Sequence, residues 1–183
     1  LVFLSRETWD TLTDEIRKRC LSVFFGDLVN IYQHEFQQPI NSCNITAAAL
    51  SLTALGFPTE VDDIFKSCAL PVSYVVNEGM TIGELYDVAS SHIFAEGLRD
   101  EIGVELYYFD HDVITKTDLL NAITESNAVG GCNDILVANF GVGLAHGNSK
   151  LKGGHFALIA KCNKKTGLVH MMDVHPEKYG KIW

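Results

Sequence analysis

Basic residues are scarce. Lys and Arg number 14 against 23 Asp and Glu, which gives the 183-residue chain a formal net charge of -9. Nucleic acid and anionic membranes draw their affinity from clustered cations, so this balance argues against either as the main partner. Long apolar runs are missing as well, and no stretch approaches the ~20 residues that span a bilayer. No repeat, low-complexity tract or linker interrupts the chain, and no CxxC pair occurs. The five cysteines, Cys20, Cys43, Cys68, Cys132 and Cys162, are widely spaced, which speaks against a zinc ribbon or a thioredoxin-type motif. A reduced, cytoplasmic setting is the simpler expectation. Their odd number requires at least one thiol to be free or paired between chains, and a homodimer stays open. The chain opens on Leu1 rather than Met, as a trimmed or processed form would, and no signal peptide is visible.

What is present is the composition of one globular domain. Apolar residues make up 47% and charged residues 20%, enough for a proper core. Trp9, Leu12, Ile16 and Cys20 fall near helical spacing within an amphipathic stretch, Ser5 to Phe24. Gly26 to Ser42 reads as irregular. Asn44 to Leu55 reads as a helix stopped by Gly56, with Pro58 beyond. Thr59 to Asp62 fits a capping box for a short helix through Cys68, and Thr81 to Glu84 fits another for a helix to about Ala95. The character then changes. Val104 to Phe109 and Asp134 to Phe140 read as strands, with a short helix, Thr117 to Glu125, between them. His155 to Cys162 and Leu168 to Val174 read as a hairpin closed by Asn163 to Gly167. The expected fold is α+β: a mainly helical subregion, residues 1–95, packed on an antiparallel sheet subregion, residues 96–183, with a cleft between them.

The chemistry centres on Cys43. It ends the loop QQPINSC and stands at, or one residue before, a helix N-terminus. Partial positive charge and unpaired N–H groups there favour a thiolate, the nucleophilic form of cysteine. A buried structural thiol is the plain alternative. Gly153-Gly154-His155 opens a strand, and glycines there permit close approach of a ligand. The expectation is that His155 faces the cleft rather than the core. If the hairpin is symmetric about Lys165, His155 lies opposite His175, with Asp173 its diagonal neighbour on the same face. A one-residue slip would separate them. An acid beside an imidazole fixes its tautomer and stabilises its cation. Gln37, six residues before Cys43, offers an amide that could donate to a developing oxyanion along with the Cys43 N–H; Gln38 is an equally plausible donor.

The order of Gln, Cys at a helix start, His at a strand start and acid on the next strand resembles papain-like cysteine peptidases and transferases. The nearer resemblance is to the phytochelatin synthases. It is carried by Phe24-Phe25, by Gln37 and Cys43 with the alanine-rich stretch after it, by Gly79 to Leu85, and above all by GGHFALIAKCNKKTGLVHMMDVHPEKYGKIW, Gly153 to Trp183. The resemblance implies a papain-like fold and Cys43, His155 and Asp173 as the catalytic set, with Gln37 at the oxyanion. It further implies attack of Cys43 on the Cys–Gly amide of glutathione, a thioester on Cys43, and transfer of the acyl group to an amine or to water. Gly154, Asn44, Lys178 and Tyr179 become candidate substrate contacts. No tightly bound cofactor or metal is implied, and a heavy-metal thiolate of glutathione would enter as substrate.

This chain departs from that pattern in places. Asn44 stands where the family usually has Gly, and Ala157-Leu158 stands where it has Ser-Pro. Pro176 occupies the position of an Arg thought to meet a substrate carboxylate; Lys152, Lys161 and Lys178 are conceivable substitutes. A second acyltransferase reading therefore keeps the same residues and changes the donor to a carrier-bound or aminoacyl thioester. Two other classes stay in view: a metal-binding module using Cys132, His146, His155 and Cys162, and a non-catalytic binding protein of the same fold. The sequon Asn44-Ile45-Thr46 lies at a helix start beside the thiol, where glycosylation would block the site. His146 to Lys150 reads as a solvated polar loop.

Overall fold

The computed structural model describes residues 41–55, 57–98, 106–108, 112–126, 135–163, 165–166 and 168–174. Among the described residues four helices come first: α1 (Cys43–Ala54), α2 (Val61–Ser67), α3 (Val72–Glu78) and α4 (Ile82–Ala95). After α5 (Lys116–Ser126) come β1 (Leu136–Gly141), the single turn α6 (Val142–Ala145), β2 (Gly154–Asn163) and β3 (Leu168–Asp173). The strands form one antiparallel sheet in the order β1-β2-β3. The fold is thus α+β. The stretch from Ser5 to Phe24 and most of Gly26 to Ser42 lie outside the described residues.

The helix behind Cys43 is enclosed on all sides. Ile45, Ala47, Ala48, Ala49, Leu50 and Leu52 are buried, and so are its polar residues Asn44, Thr46 and Ser51. A helix buried all round needs no amphipathic stripe, and three consecutive alanines let its neighbours come close. The Ser51 hydroxyl is satisfied locally, donating to the Ala47 carbonyl at 2.7 Å. Ile45 and Leu50 share one core with Ile64 of α2, Val75 of α3, Leu85 of α4, and Val137, Phe156, Leu158 and Met172 of the sheet. Each such buried side chain contributes about 1.5–3 kcal/mol. The opposite face of the sheet is covered by α5, where Ile123 packs with Leu136, Ile159 and Val169.

The helix starts show what local chemistry decides. α4 has the expected capping box: Thr81 Oγ1 accepts from the Glu84 N–H at 3.2 Å, and Glu84 Oε2 accepts from the Thr81 N–H at 2.7 Å. The box expected at Thr59 to Asp62 is displaced by one residue. Glu60 precedes α2, and Asp63 accepts from its N–H at 2.9 Å. Thr59 is otherwise engaged, its hydroxyl donating to Phe57 O at 2.8 Å and its N–H to Thr53 Oγ1 at 3.1 Å. α3 was not expected, because Val-Ser-Tyr-Val-Val favours strands. Pro71 before it and Gly79 after it, at φ 73°, were its legible bounds. The strand expected at Val104 to Phe109 is corrected for its described part. Leu106, Tyr107 and Tyr108 have irregular backbone, and Tyr108 instead packs against Tyr86 of α4 with ring centroids 5.1 Å apart.

The hairpin register is two-part. Near the turn Asn163 pairs with Leu168 and Cys162 with Val169; beyond it Ile159 pairs with Met171 and Ala157 with Asp173. The offset is taken up between Ile159 and Lys161, where Ala160 is the extra residue of a β-bulge. Symmetry about Lys165 therefore holds at the far end of the hairpin and not at its turn. Enlarging the buried helix should be costly: Ala47→Leu is expected to lower stability by about 1–3 kcal/mol. The exposed Phe94→Ser on α4 should change it by less than about 0.5 kcal/mol, both read by urea denaturation.

Candidate active site

Cys43 is the first residue of α1, and Ser42 is its N-cap. The chain reaches it through Asn41, whose φ of 62° lies in the left-handed region that Asn tolerates better than most residues. Asn41 Nδ2 donates to Val76 O at 3.1 Å, tying this turn to α3. The Ser42 carbonyl accepts the Thr46 N–H at 2.9 Å, and its hydroxyl lies 3.4 Å from Thr46 Oγ1. No acidic residue sits in the first turn of α1, so no carboxylate of that turn offsets the partial positive charge of the helix start where the Cys43 thiol lies. Cys43 is half-buried and forms no disulfide.

His155 stands near the start of β2 and Asp173 ends β3. His155 Nε2 lies 3.0 Å from Asp173 Oδ1. Asp173 is 0% exposed and His155 5%, and a carboxylate so enclosed requires a charged or donating partner. Phe140, directly opposite His155 on β1, meets the imidazole edge-on with centroids 5.7 Å apart and planes at 86°. Burial pushes the pKa of His155 down. Its hydrogen bond with Asp173, followed by its hydrogen bond with Cys43, outweighs this and raises it from 6.5 to about 9. Asp173 occupies Nε2, so Nδ1 is the nitrogen left for Cys43. The arrangement places a thiol, a proton-carrying ring and a carboxylate that fixes the ring's tautomer in one chain of contacts.

Beside Cys43 opens a cleft of ≈ 490 Å³, lined in part by Asn44, Gly154, Asn139, Tyr74 and Glu84. Asn44 is 1% exposed, and its Oδ1 accepts the Ile45 N–H at 2.7 Å. Gly154 lies close to β1, where a Cβ would come within 3.3 Å of Asn139 Oδ1, and Gly153 has φ 104°, a conformation for which glycine is suited. Across the cleft Glu84 is held rigidly: Oε2 also accepts from Thr81 Oγ1 at 2.9 Å, and Oε1 accepts from Tyr74 OH at 2.8 Å. The hydrogen bond from the Thr81 backbone, then those from Tyr74 and the Thr81 hydroxyl, keep its pKa below the usual value.

Cys43, His155 and Asp173 are thus brought together, and Gly154 and Asn44 border the cleft. One expectation is corrected: His155 does not open onto the cleft but is enclosed by Asp173 and Phe140, while Gly154 and Phe156, its neighbours in sequence, line it. Gln37, Lys178 and Tyr179 lie outside the described residues. Sequence reasoning missed Tyr74, Asn139, Phe140 and Glu84. Glu84 was read as a cap alone, and Phe140 was recoverable from strand pairing with His155. His146 to Lys150 forms an exposed loop, as expected. Among the described residues no group of three or more His, Cys, Asp or Glu side chains is placed to hold a metal ion, and no helix is long and apolar enough to cross a membrane. No protein-family model and no curated protein matches the chain.

Asp173→Asn should lower the His155 pKa from about 9 by more than Cys43→Ala does, as read from imidazole resonances in an NMR titration. The folded-state pKa exceeds the unfolded one. The stability it contributes is therefore complete below about pH 6.5 and is lost as pH rises through about 9. Urea denaturation across that window should show this loss in the native chain and a flatter profile in Asp173→Asn.

Proposed function

We propose that this chain is a cysteine-nucleophile acyltransferase of the papain-like type, akin to the phytochelatin synthases. The observation that carries the reading is the enclosed Asp173–His155 pair meeting a thiol at the first position of a buried helix. Residues far apart in sequence converge there in the order that the chemistry requires. A helix leading with cysteine against an antiparallel sheet that supplies the imidazole and the acid also supports the papain-like architecture. Cys43 and Cys68 form no disulfide, which accords with a reducing, cytoplasmic setting.

His155 accepts the thiol proton, and Cys43 Sγ attacks the carbonyl carbon of an acyl donor. The tetrahedral intermediate collapses to a thioester on Cys43 as the bond to the leaving amine or thiol breaks. His155 returns its proton to that group. In the second half an amine or water attacks the thioester, loses a proton to His155, and releases Cys43. Asp173 works through the ring, holding its Nε2 side so that Nδ1 stays directed at the sulfur. The Cys43 N–H, with Gln37, is the proposed donor pair for the oxyanion.

For the family's reaction the donor is glutathione, with a heavy-metal thiolate of it entering as substrate. A second reading, with an aminoacyl or carrier-bound thioester as donor, is favoured by the cleft itself. Its described lining includes Glu78 and Glu84 and no Lys or Arg to meet glutathione's carboxylates. Incubation with glutathione and cadmium separates the two, since release of glycine supports the family donor and its absence from folded, alkylatable protein supports the other. Iodoacetamide at about pH 6 should label Cys43 faster than every other cysteine, and equal rates would count against a nucleophilic role. His155→Ala should slow acyl-enzyme formation, followed by intact mass, by about 10²–10⁴-fold.

A further inference from the structure

The wall facing Cys43 across the cleft is built from the end of α3 and the start of α4. It brings two carboxylates, Glu78 and Glu84, to the same cavity as the thiol. Between them stands Tyr74, whose hydroxyl is bonded to Glu84, and the hydrogen bond to Glu84 leads the causes that raise the Tyr74 pKa, with Glu78 also contributing. The rest of the polar lining is amide and hydroxyl: Asn41, Asn44, Asn77, Asn139 and Thr81. Among the described residues no Lys or Arg lines the cavity. Asn41 donates its amide to Val76, whereas Asn44 is 1% exposed and uses only Oδ1, toward Ile45. Among the described residues Asn44 Nδ2 has no protein partner, although an amide N–H so enclosed needs an acceptor.

Such a cavity matches a ligand with a carbonyl near the thiol and a cation farther out. Glu84 makes a firm anchor, because its hydrogen bonds from Thr81 and Tyr74 fix the carboxylate in place and keep it ionised, and Oε1, which accepts only from Tyr74, retains a lone pair for a further donor. Glu78 is exposed and free to follow the ligand. The cation is better placed on the acyl chain than on the attacking group. Carboxylates beside an amine favour its protonated form, and a protonated acceptor amine cannot attack a thioester.

Resting on the acyltransferase reading above, we infer that the cleft selects an acyl donor whose side chain ends in an ammonium group, held by Glu84 and Glu78, with Asn44 donating to a carbonyl of the same acyl chain. Glutathione, with its two carboxylates, is the opposite of this ligand.

The test uses the N-acetylcysteamine thioesters of Nα-acetyl-lysine, Nα-acetyl-norleucine and Nα-acetyl-glutamate as probes, and follows Cys43 loading by intact mass. Cys43 Sγ forms the new C–S bond as the probe's C–S bond breaks, and N-acetylcysteamine leaves with the proton carried by His155. The lysine probe should load about tenfold faster than the glutamate probe at low salt, with the norleucine probe between them. The ratio should shrink as ionic strength rises to about 1 M. Glu78→Gln should lower the lysine preference several-fold, and so should Glu84→Gln, since Gln still serves the capping box of α4; circular dichroism of both variants checks the fold. Equal loading of the probes, a preference for the glutamate probe, or no loading of a Cys43 that iodoacetamide labels rapidly would overturn this inference alone. A Cys43 that iodoacetamide labels no faster than Cys68 would overturn the acyltransferase reading, and this inference with it.

Discussion

The contact on which the site depends is the hydrogen bond between His155 and Asp173, and that contact exists because β2 carries one residue too many. At the turn end the hairpin pairs Asn163 with Leu168; continued without interruption, that register would set Asp173 opposite Leu158, on the face away from His155. The bulge between Ile159 and Lys161 shifts the pairing by one and returns Asp173 to the partner of Ala157, two residues from His155 and on its face. The bulge, the enclosure of the pair and the raised pKa of His155 are therefore one arrangement seen at three levels. Backbone register sets the geometry, geometry permits the burial, and the charged hydrogen bond outweighs the cost of burial.

The thiol is positioned by a different device. α1 is held by apolar contact on all sides, from α2, α4 and the sheet, so its first residue has little freedom to move. Its alanines matter for distance. Small side chains let β2 lie close against the helix, and that closeness brings the helix start within reach of a ring anchored on the sheet. The core thus works as the frame of the site. A thiol on one rigid element and an imidazole–carboxylate pair on another meet at a separation that packing determines.

Much of this was legible from residue types. The helix after QQPINSC, the α4 capping box and the final hairpin follow from local chemistry, since caps, glycines and alternating apolar residues act within a few positions. The pairing of His155 with Asp173 followed from counting along the hairpin, although the count was right at the site end for a reason it did not contain. A bulge leaves no mark in a run such as Ile159-Ala160-Lys161, because any residue can be the extra one. The enclosure of His155 was equally hidden. It depends on Phe140 arriving from β1, a non-local contact that no spacing within β2 encodes. α3 was missed because its valines favour strands by propensity, and burial of Val75 against the core overrides that preference.

The two walls of the cleft are stabilised in different ways. On the Cys43 side the sheet and α1 share the main core, so substitutions there act on stability and on the placement of Cys43, His155 and Asp173 together. On the α3–α4 side, Tyr74, Thr81 and Glu84 are joined by exposed hydrogen bonds and Glu78 is exposed beside them, and the core loses little if they change. Exposed polar groups of this kind are individually weak contributors to folding, yet they set the charge that a ligand meets on entering. A change of charge on that wall with Cys43, His155 and Asp173 kept as they are is therefore physically consistent. Cys43, His155 and Asp173 are bound into the fold, whereas the α3–α4 wall can vary without disturbing them.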